Sequence, residues 1–307
     1  MTQTTSPILV TGSHRSGSTW VGRMLATAPG VGFIYEPFNP ALRTGVNPEP
    51  FQYWYTYLCE TNAGDYNNVF DRIIRYHYPL VRNLLRTRTF MDAANVIRDQ
   101  GAFWWHGIMG HRPLIKDPLA FFSADWLCHR FNMAVIVVIR HPAAFCSSLK
   151  IKKWGFPFEH LLEQPLLLEK FLDKYEEQIR QQVQRRNNLI DQAILLWNCI
   201  HHTINIYRQE HPDWLFVRHE DLSLDPVEQF RRIYEKFGLE FTAKAEQKIL
   251  ASTGTHNPAE QRVGKELARD SKKNIKNWKN RLTAEEIATI RRETAEVSAL
   301  FYSEEEW

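Results

Sequence analysis

Two glycines, an arginine and two adjacent hydroxyls fall within one short run near the start of the chain: Gly12, Arg15, Gly17, Ser18 and Thr19 in PILVTGSHRSGSTW. A turn of this composition leaves backbone N–H groups unpaired and aimed at one point, and a helix start adds partial positive charge, so an anion of phosphate size suits it. Gly12 and Gly17 have the spacing of a G-x-x-x-x-G-K-[ST] triphosphate loop, but Ser18 stands where the lysine for the β/γ-phosphates belongs. Arg15 is then the side-chain cation of the loop. A short anion such as a phosphosulfate fits it better than a Mg-triphosphate. Gly/Ser turns also join strands to helices without any ligand, and the joint presence of both glycines, the arginine and the hydroxyls argues against that plainer reading.

Three further groups could do chemistry. Glu36 follows Val31–Tyr35 and precedes Pro37, and could stand beside Arg15 or simply lead into an exposed loop. Arg140 follows AVIVVI, and Ser148 lies roughly 9 Å along the next helix at 1.5 Å per residue, so a second anion could be held between them. A salt-bridging role for Arg140 is the ordinary alternative. His201 and His202 are adjacent, so on a helix they point in different directions, and no third ligand accompanies them. No metal site is expected.

To position these groups, the chain must put several strand ends along one edge. Ile8–Thr11 reads as a strand into the loop, with a helix through Trp20, Met24 and Leu25 that stops at Ala28-Pro29-Gly30. Val31–Tyr35, Pro113–Lys116, Ala134–Ile139 and Trp214–Val217 read as further strands, and AVIVVI is apolar on both faces like a central parallel strand. In an open parallel sheet ligands sit at the carboxyl ends, where Glu36 and Arg140 emerge. Helices are expected from Leu119 to about Arg130, from Pro142, from Leu189 (a core helix), near 226–237 and 242–252, and from Ala284 to about Leu300. Glu159–Asn187 reads as a charged helical stretch with a solvated face.

About 48–110 is a mostly helical insertion with a dense aromatic run, Phe51, Tyr53, Trp54, Tyr55 and Tyr57. Such runs usually pack. As a region it is also the place for acceptor recognition. The tail, about 254–281, holds Arg262, Lys265, Arg269, Lys272, Lys273, Lys276, Lys279 and Arg281 around Trp278, and reads as a basic flap over a multiply charged small ligand.

Composition bounds the rest. With 307 residues and 44% hydrophobic content, the chain can bury a sizeable core. Lys and Arg total 38 against 35 Asp and Glu, so no general attraction to nucleic acid or membrane follows. The four cysteines lack C-x-x-C spacing and suit reduced thiols in a cytoplasm. No secretory leader or membrane span is evident, and a soluble cytoplasmic protein is expected.

Taken together, SHRSGSTW, YEP, LIKDPLAFFSADWL, VIVVIRHPAAFCSSL, FVRHEDLSLDP and NWKNRLTAEEI resemble the sulfotransferases that use 3′-phosphoadenosine 5′-phosphosulfate, over most of the chain. The resemblance implies a single domain, 1–307, with a P-loop-containing three-layer α/β/α fold: a central, mainly parallel sheet flanked by helices. It implies that Arg15, Ser16, Gly17, Ser18 and Thr19 hold the 5′-phosphosulfate, that Arg140 and Ser148 hold the 3′-phosphate, and that Trp20 is also among the donor-binding residues. No metal is expected in that chemistry. Small-phenol and steroid members place a catalytic His shortly after a Lys, but here Lys116-Asp117-Pro118 puts proline at that position. Members acting on carbohydrates use a Glu after the second strand, which Tyr35-Glu36-Pro37 resembles, making Glu36 the preferred base and Lys116 a second cation. His219 replaces a family tyrosine near the adenine, and Ser271 replaces an Arg, leaving Lys272 as the tail's candidate for the 3′-phosphate. The expected acceptor is a hydroxyl or amine of a carbohydrate, lipid or small metabolite. Two rival classes stay open: a P-loop nucleotide kinase or ATPase, which would need Mg²⁺ and ATP, and a non-catalytic nucleotide-binding protein, which would tolerate loss of Glu36.

Overall fold

Side chains alternate across the strands, and that alternation divides the core in two. The structure is a computed structural model that describes residues 6–185, 188–254 and 271–307. Its strands are β1 (Ile8–Gly12), β2 (Val31–Tyr35), β3 (Arg112–Lys116), β4 (Ala134–Ile139) and β5 (Leu215–Arg218). They form one sheet in the order β2-β3-β1-β4-β5, and each neighbouring pair runs parallel. Ile8, Val10, Leu114, Ile136 and Val138 face one side; Leu9, Ile115, Val135, Val137 and Ile139 face the other.

Helices cover both faces, giving three α/β/α layers. The helices up to β3 are α1 (Ser18–Leu25), α2 (Tyr66–Ile74), α3 (Leu80–Leu85) and α4 (Phe90–Ile108). Then come α5 (Ala124–Phe131), α6 (Pro142–Lys152), α7 (Glu159–Leu162), α8 (Pro165–Leu167), α9 (Glu176–Arg185) and α10 (Leu189–Glu210). After β5 follow α11 (His219–Leu224), α12 (Pro226–Lys236), α13 (Ala243–Thr253), α14 (Ser271–Ile275) and α15 (Ala284–Ser298). α1, α12 and α13 cover the Ile8 face through Val21, Phe230 and Ile249. On the opposite face α5, α6, α10 and α15 pack through Trp126, Phe145, Trp197 and Ile290. The Asn188 side chain caps α10 by accepting from Ile190 N and Asp191 N at 2.9 and 3.0 Å, and the Ile190, Ile194, Trp197, Ile204 stripe is buried as its spacing requires.

Several expectations shift. The helix expected from Leu119 is two pieces, a 3₁₀ segment Pro118–Ser123 with all six residues buried, then α5. Asp117 Oδ1 accepts from Leu119 N at 2.9 Å and, with Pro118, fixes that tighter start. β5 begins one residue later than expected, because Trp214 leaves the strand to stack on His211, ring centroids 4.1 Å apart. The stretch from Glu159 is not merely a solvated face: Leu161, Leu167, Phe171, Leu172, Tyr175 and Ile179 are buried. Its pitch changes from α through a π turn at Leu168–Leu172 to 3₁₀ at Asp173–Tyr175, so no single helical period exposes the pattern. In the 48–110 stretch the aromatic run lies in turns ahead of α2, with Phe51 stacked between Phe38 and Tyr66 at 4.4 Å from each.

Candidate active site

The strand register sets the site. Val10 and Tyr35 both pair with Lys116, Gly12 with Val138, and Ile139 with Arg218. All five strands therefore leave the sheet at one end, which carries the Ser13–Ser16 turn, Glu36, Asp117, Arg140 and His219.

At Gly12 (φ 131°) the chain passes so near β4 that a Cβ would lie 2.3 Å from the Val138 carbonyl oxygen. The turn then closes with Ser16 N donating to Ser13 O at 3.1 Å, and Arg15 takes the left-handed φ of 65°. Gly17 (φ 99°) starts α1, and a Cβ there would lie 2.6 Å from His219 Nδ1. Arg15 Nε donates to Ser148 Oγ at 3.0 Å, while Arg140 Nη1 donates to the Arg15 carbonyl. Trp197 Nε1 in turn donates to Arg140 O at 2.9 Å, locking that strand end to α10. Ser148, which the sequence reading placed with Arg140, is bonded by the Arg15 side chain, and Arg140 bonds the Arg15 backbone. Trp20 lines the far wall and donates to Ser252 Oγ at 3.0 Å.

The carboxylate side is equally constrained. Glu36 (φ 42°) is held by its N–H to Lys116 O at 3.0 Å, and its side chain pairs with the Lys116 ammonium and accepts from Asn39 Nδ2 at 2.6 Å. Lys116 Nζ also lies 4.9 Å from the Tyr35 ring centroid. Burial, with the Glu36 charge beside it, pushes the Tyr35 phenol up to about 12. Asp117 Oδ2 accepts from Phe38 N at 2.6 Å, so Asp117 clamps the loop that aims Glu36. Burial and then the Glu36 charge raise its carboxyl to about 7.

One cavity of about 380 Å³ joins the two sides: Arg15, Gly17, Ser18 and Thr19 line it with Glu36, Lys116 and Arg140. Ser16 is buried beneath the loop, and neither it nor Ser148 lines the cavity. Lys272 is exposed on α14 and does not line it; Asn274, two residues on, does. Arg262, Lys265 and Arg269 lie outside the described residues.

The sequence reading missed several supports. His14 N donates to Tyr55 Oη at 2.8 Å and its Nδ1 shares a 2.7 Å hydrogen bond with the same hydroxyl. Burial, with Arg15 adjacent, lowers His14 to about 3. Glu220 accepts from His141 N at 3.1 Å and from the Tyr302 hydroxyl at 3.0 Å, tying the RHP turn to the HED segment. The adjacency of His14 to Arg15 and the clustering of charges in RHED were the available signals. Among the described residues one group has metal-ligand composition, Asp125, His129 and His211. Asp125 Oδ1 already lies 3.1 and 2.9 Å from the two imidazole nitrogens, and the group does not line the cavity.

A model of the sulfotransferase family matches residues 7–243, more than half of the chain. The chain belongs to the sulfotransferase family. The loop, Glu36, Lys116, Arg140, Ser148 and His219 of this sulfotransferase all fall inside the matched region. Among solved structures it is similar to the sulfotransferase domain from the Synechococcus PCC 7002 olefin synthase, at 17% identity and a TM-score of 0.48, covering 97% of this chain and 95% of that one. It is also similar to the sulfotransferase domain from the curacin biosynthetic pathway (15% identity, TM-score 0.48, 95% of this chain and 97% of that one). A third is the mouse sulfotransferase SULT7A1 complexed with PAP (14%, 0.44, 95% and 84%). No curated protein matches the chain. Among the described residues no helix is long and apolar enough to cross a membrane.

Proposed function

We propose that this sulfotransferase moves a sulfuryl group from 3′-phosphoadenosine 5′-phosphosulfate to a hydroxyl or amine of a carbohydrate, lipid or small metabolite. The observation that carries the reading is the single cavity in which Arg15 and Arg140 face the Glu36–Lys116 pair. The N–H groups of Arg15, Gly17, Ser18 and Thr19 would hold the 5′-phosphosulfate and Arg140 the 3′-phosphate, with Ser148 positioning the Arg15 side chain. The acceptor oxygen attacks sulfur as the bond from sulfur to the 5′-phosphate oxygen breaks, and the acceptor proton passes to Glu36. Its contacts with Lys116 and Asn39 fix the carboxylate in place to take that proton. Lys116 and Arg15 stabilise charge gathering on the sulfuryl oxygens and the leaving phosphate. Asn39, Pro118 and Trp154 line the cavity beside Glu36 and are placed to meet the acceptor, and the 48–110 stretch supports that side from behind through the Tyr55 hydroxyl on His14. Of the described tail, Asn274 rather than Lys272 lines the cavity and is placed to meet the donor.

Thermal unfolding with 3′-phosphoadenosine 5′-phosphate, AMP, ADP or Mg-ATP at equal concentration tests the donor. A ligand at 100 times its dissociation constant adds about 2.7 kcal/mol to the folded state. The expected result is a shift confined to the 3′-phosphorylated nucleotide; a shift with Mg-ATP alone would overturn the reading in favour of a kinase.

A further inference from the structure

Of the 17 large hydrophobic side chains that are exposed among the described residues, ten lie between Val81 and Met109. Helix α4 buries only Val96 and Phe103 of its nineteen residues. Phe90, Ile97, Trp104 and Ile108, spaced seven, seven and four apart, make one stripe, with Met91, Trp105 and Met109 alongside. They are far from covered: Phe90 is 89% exposed, Ile97 and Trp104 62%. On α3, Val81 and Leu85 continue the apolar surface. A contiguous face of this kind on a folded chain calls for a partner.

Charge says which partner. Residues 71–110 hold six Arg and three Asp with no Lys or Glu, a balance of +3 that equals the net charge of the entire chain. Arg72, Arg75, Arg86, Arg88 and Arg98 are exposed. Asp71, Asp92 and Asp99 are each partly covered and each paired with an arginine. Tryptophan, phenylalanine and leucine beside unpaired excess arginine is the composition of a helix that lies in a headgroup layer. A second copy of the same face would set these arginines against each other, which disfavours self-association.

We propose that the α3–α4 face docks on a bilayer surface carrying anionic headgroups, with the aromatic and aliphatic side chains entering the acyl boundary and the arginines meeting lipid phosphates. Asp92, in the first turn of α4, pairs with Arg43 of the loop that follows Glu36. Docking therefore brings that loop to the lipid surface.

Co-sedimentation of the full chain with phosphatidylcholine vesicles, with and without phosphatidylglycerol, tests this without reference to sulfuryl transfer. Binding to the phosphatidylglycerol vesicles should be at least about tenfold tighter, and Trp104→Ala/Trp105→Ala or Arg86→Glu/Arg88→Glu should each weaken it by about tenfold or more. These side chains are exposed, so the variants should keep the parent melting temperature. No binding, equal binding to both vesicle types, or binding unaffected by the variants would overturn the proposal. So would a dimer in sedimentation velocity that the tryptophan variant dissolves, which would give the face to a second copy.

Discussion

Glu36→Gln separates the chemistry of this site from its binding and its stability. Glu36 is 9% exposed and its partner Lys116 only 2%. The substitution leaves the ammonium buried without its counter-charge. Breaking a buried pair from one side costs about 3–5 kcal/mol, with the lower end favoured because the amide oxygen still accepts from Lys116. Unfolding entropy of about 2.1 cal/mol/K per residue makes 1 kcal/mol worth about 1.5 °C in 307 residues, so Tm should fall by roughly 5–8 °C. Adding Lys116→Met removes the stranded charge and should return most of that loss. Turnover should drop about 10²–10⁴-fold in Glu36→Gln, the usual contribution of a positioned base. Affinity for 3′-phosphoadenosine 5′-phosphate should stay within about twofold, since Arg15, Arg140 and Ser148 are untouched. Scanning calorimetry, titration calorimetry and single-turnover sulfuryl transfer read the three quantities. Unchanged turnover would place the base elsewhere; a single variant as stable as the parent, or a double variant no more stable than the single, would refute the buried pair.

Arg15→Ala should behave oppositely, losing turnover and weakening nucleotide binding by about 10–100-fold, with Ser148→Ala a milder loss in the same direction; titration calorimetry in which Arg15→Ala binds like the parent would contradict the assignment. Stability should also depend on pH with a sign set by burial. His14, His141 and His201 are each lowered by burial from an ordinary 6.5 to about 3, so the stability they contribute is present above pH 6.5 and lost as pH falls. Asp117, raised to about 7, acts the other way: its contribution is present below about pH 4 and lost as pH rises through 7. Between these limits the buried neutral histidines outweigh Asp117, which predicts a net loss of stability on acidification between roughly pH 5.5 and 4.5. Urea midpoints that stay level across that interval would count against neutral buried histidines.

The sequence exposed those parts of the site that depend on strand ends. β2 and β4 have the bounds read from their apolar runs, and a parallel sheet delivers whatever follows such runs to one edge, so Glu36 and Arg140 could be found. The supports were hidden because they join residues far apart in the chain. Tyr55 reaches His14 across 41 positions and Glu220 reaches His141 across 79, and neither pairing leaves a periodic trace. Asp117 read as a mere neighbour of Lys116, although it clamps Phe38 and starts the following turn. The segment from Glu159 misled for a different reason. Changes of helical pitch scatter its apolar positions around the wheel, and the charges between them dominate the pattern.

β2 and β3 are hydrogen-bonded neighbours along their whole length, from Val31↔Arg112 to Tyr35↔Lys116, yet everything between Glu36 and His111 is routed between them. A graft at this point therefore leaves the sheet as it stands. Doubling the length of such an excursion costs only about 0.6 kcal/mol in closure entropy, so size is a weak constraint on what is inserted. The strong constraints are its buried partners: core side chains such as Phe51, Tyr55 and Phe70, the Phe38 amide on Asp117, the Tyr55 hydroxyl on His14, and Leu58 N and Thr56 O on the Ser123 hydroxyl. A transplanted segment must therefore reproduce those buried partners, and one that does can differ in its exposed residues and its length while the sheet and the loop at Arg15 stay as they are.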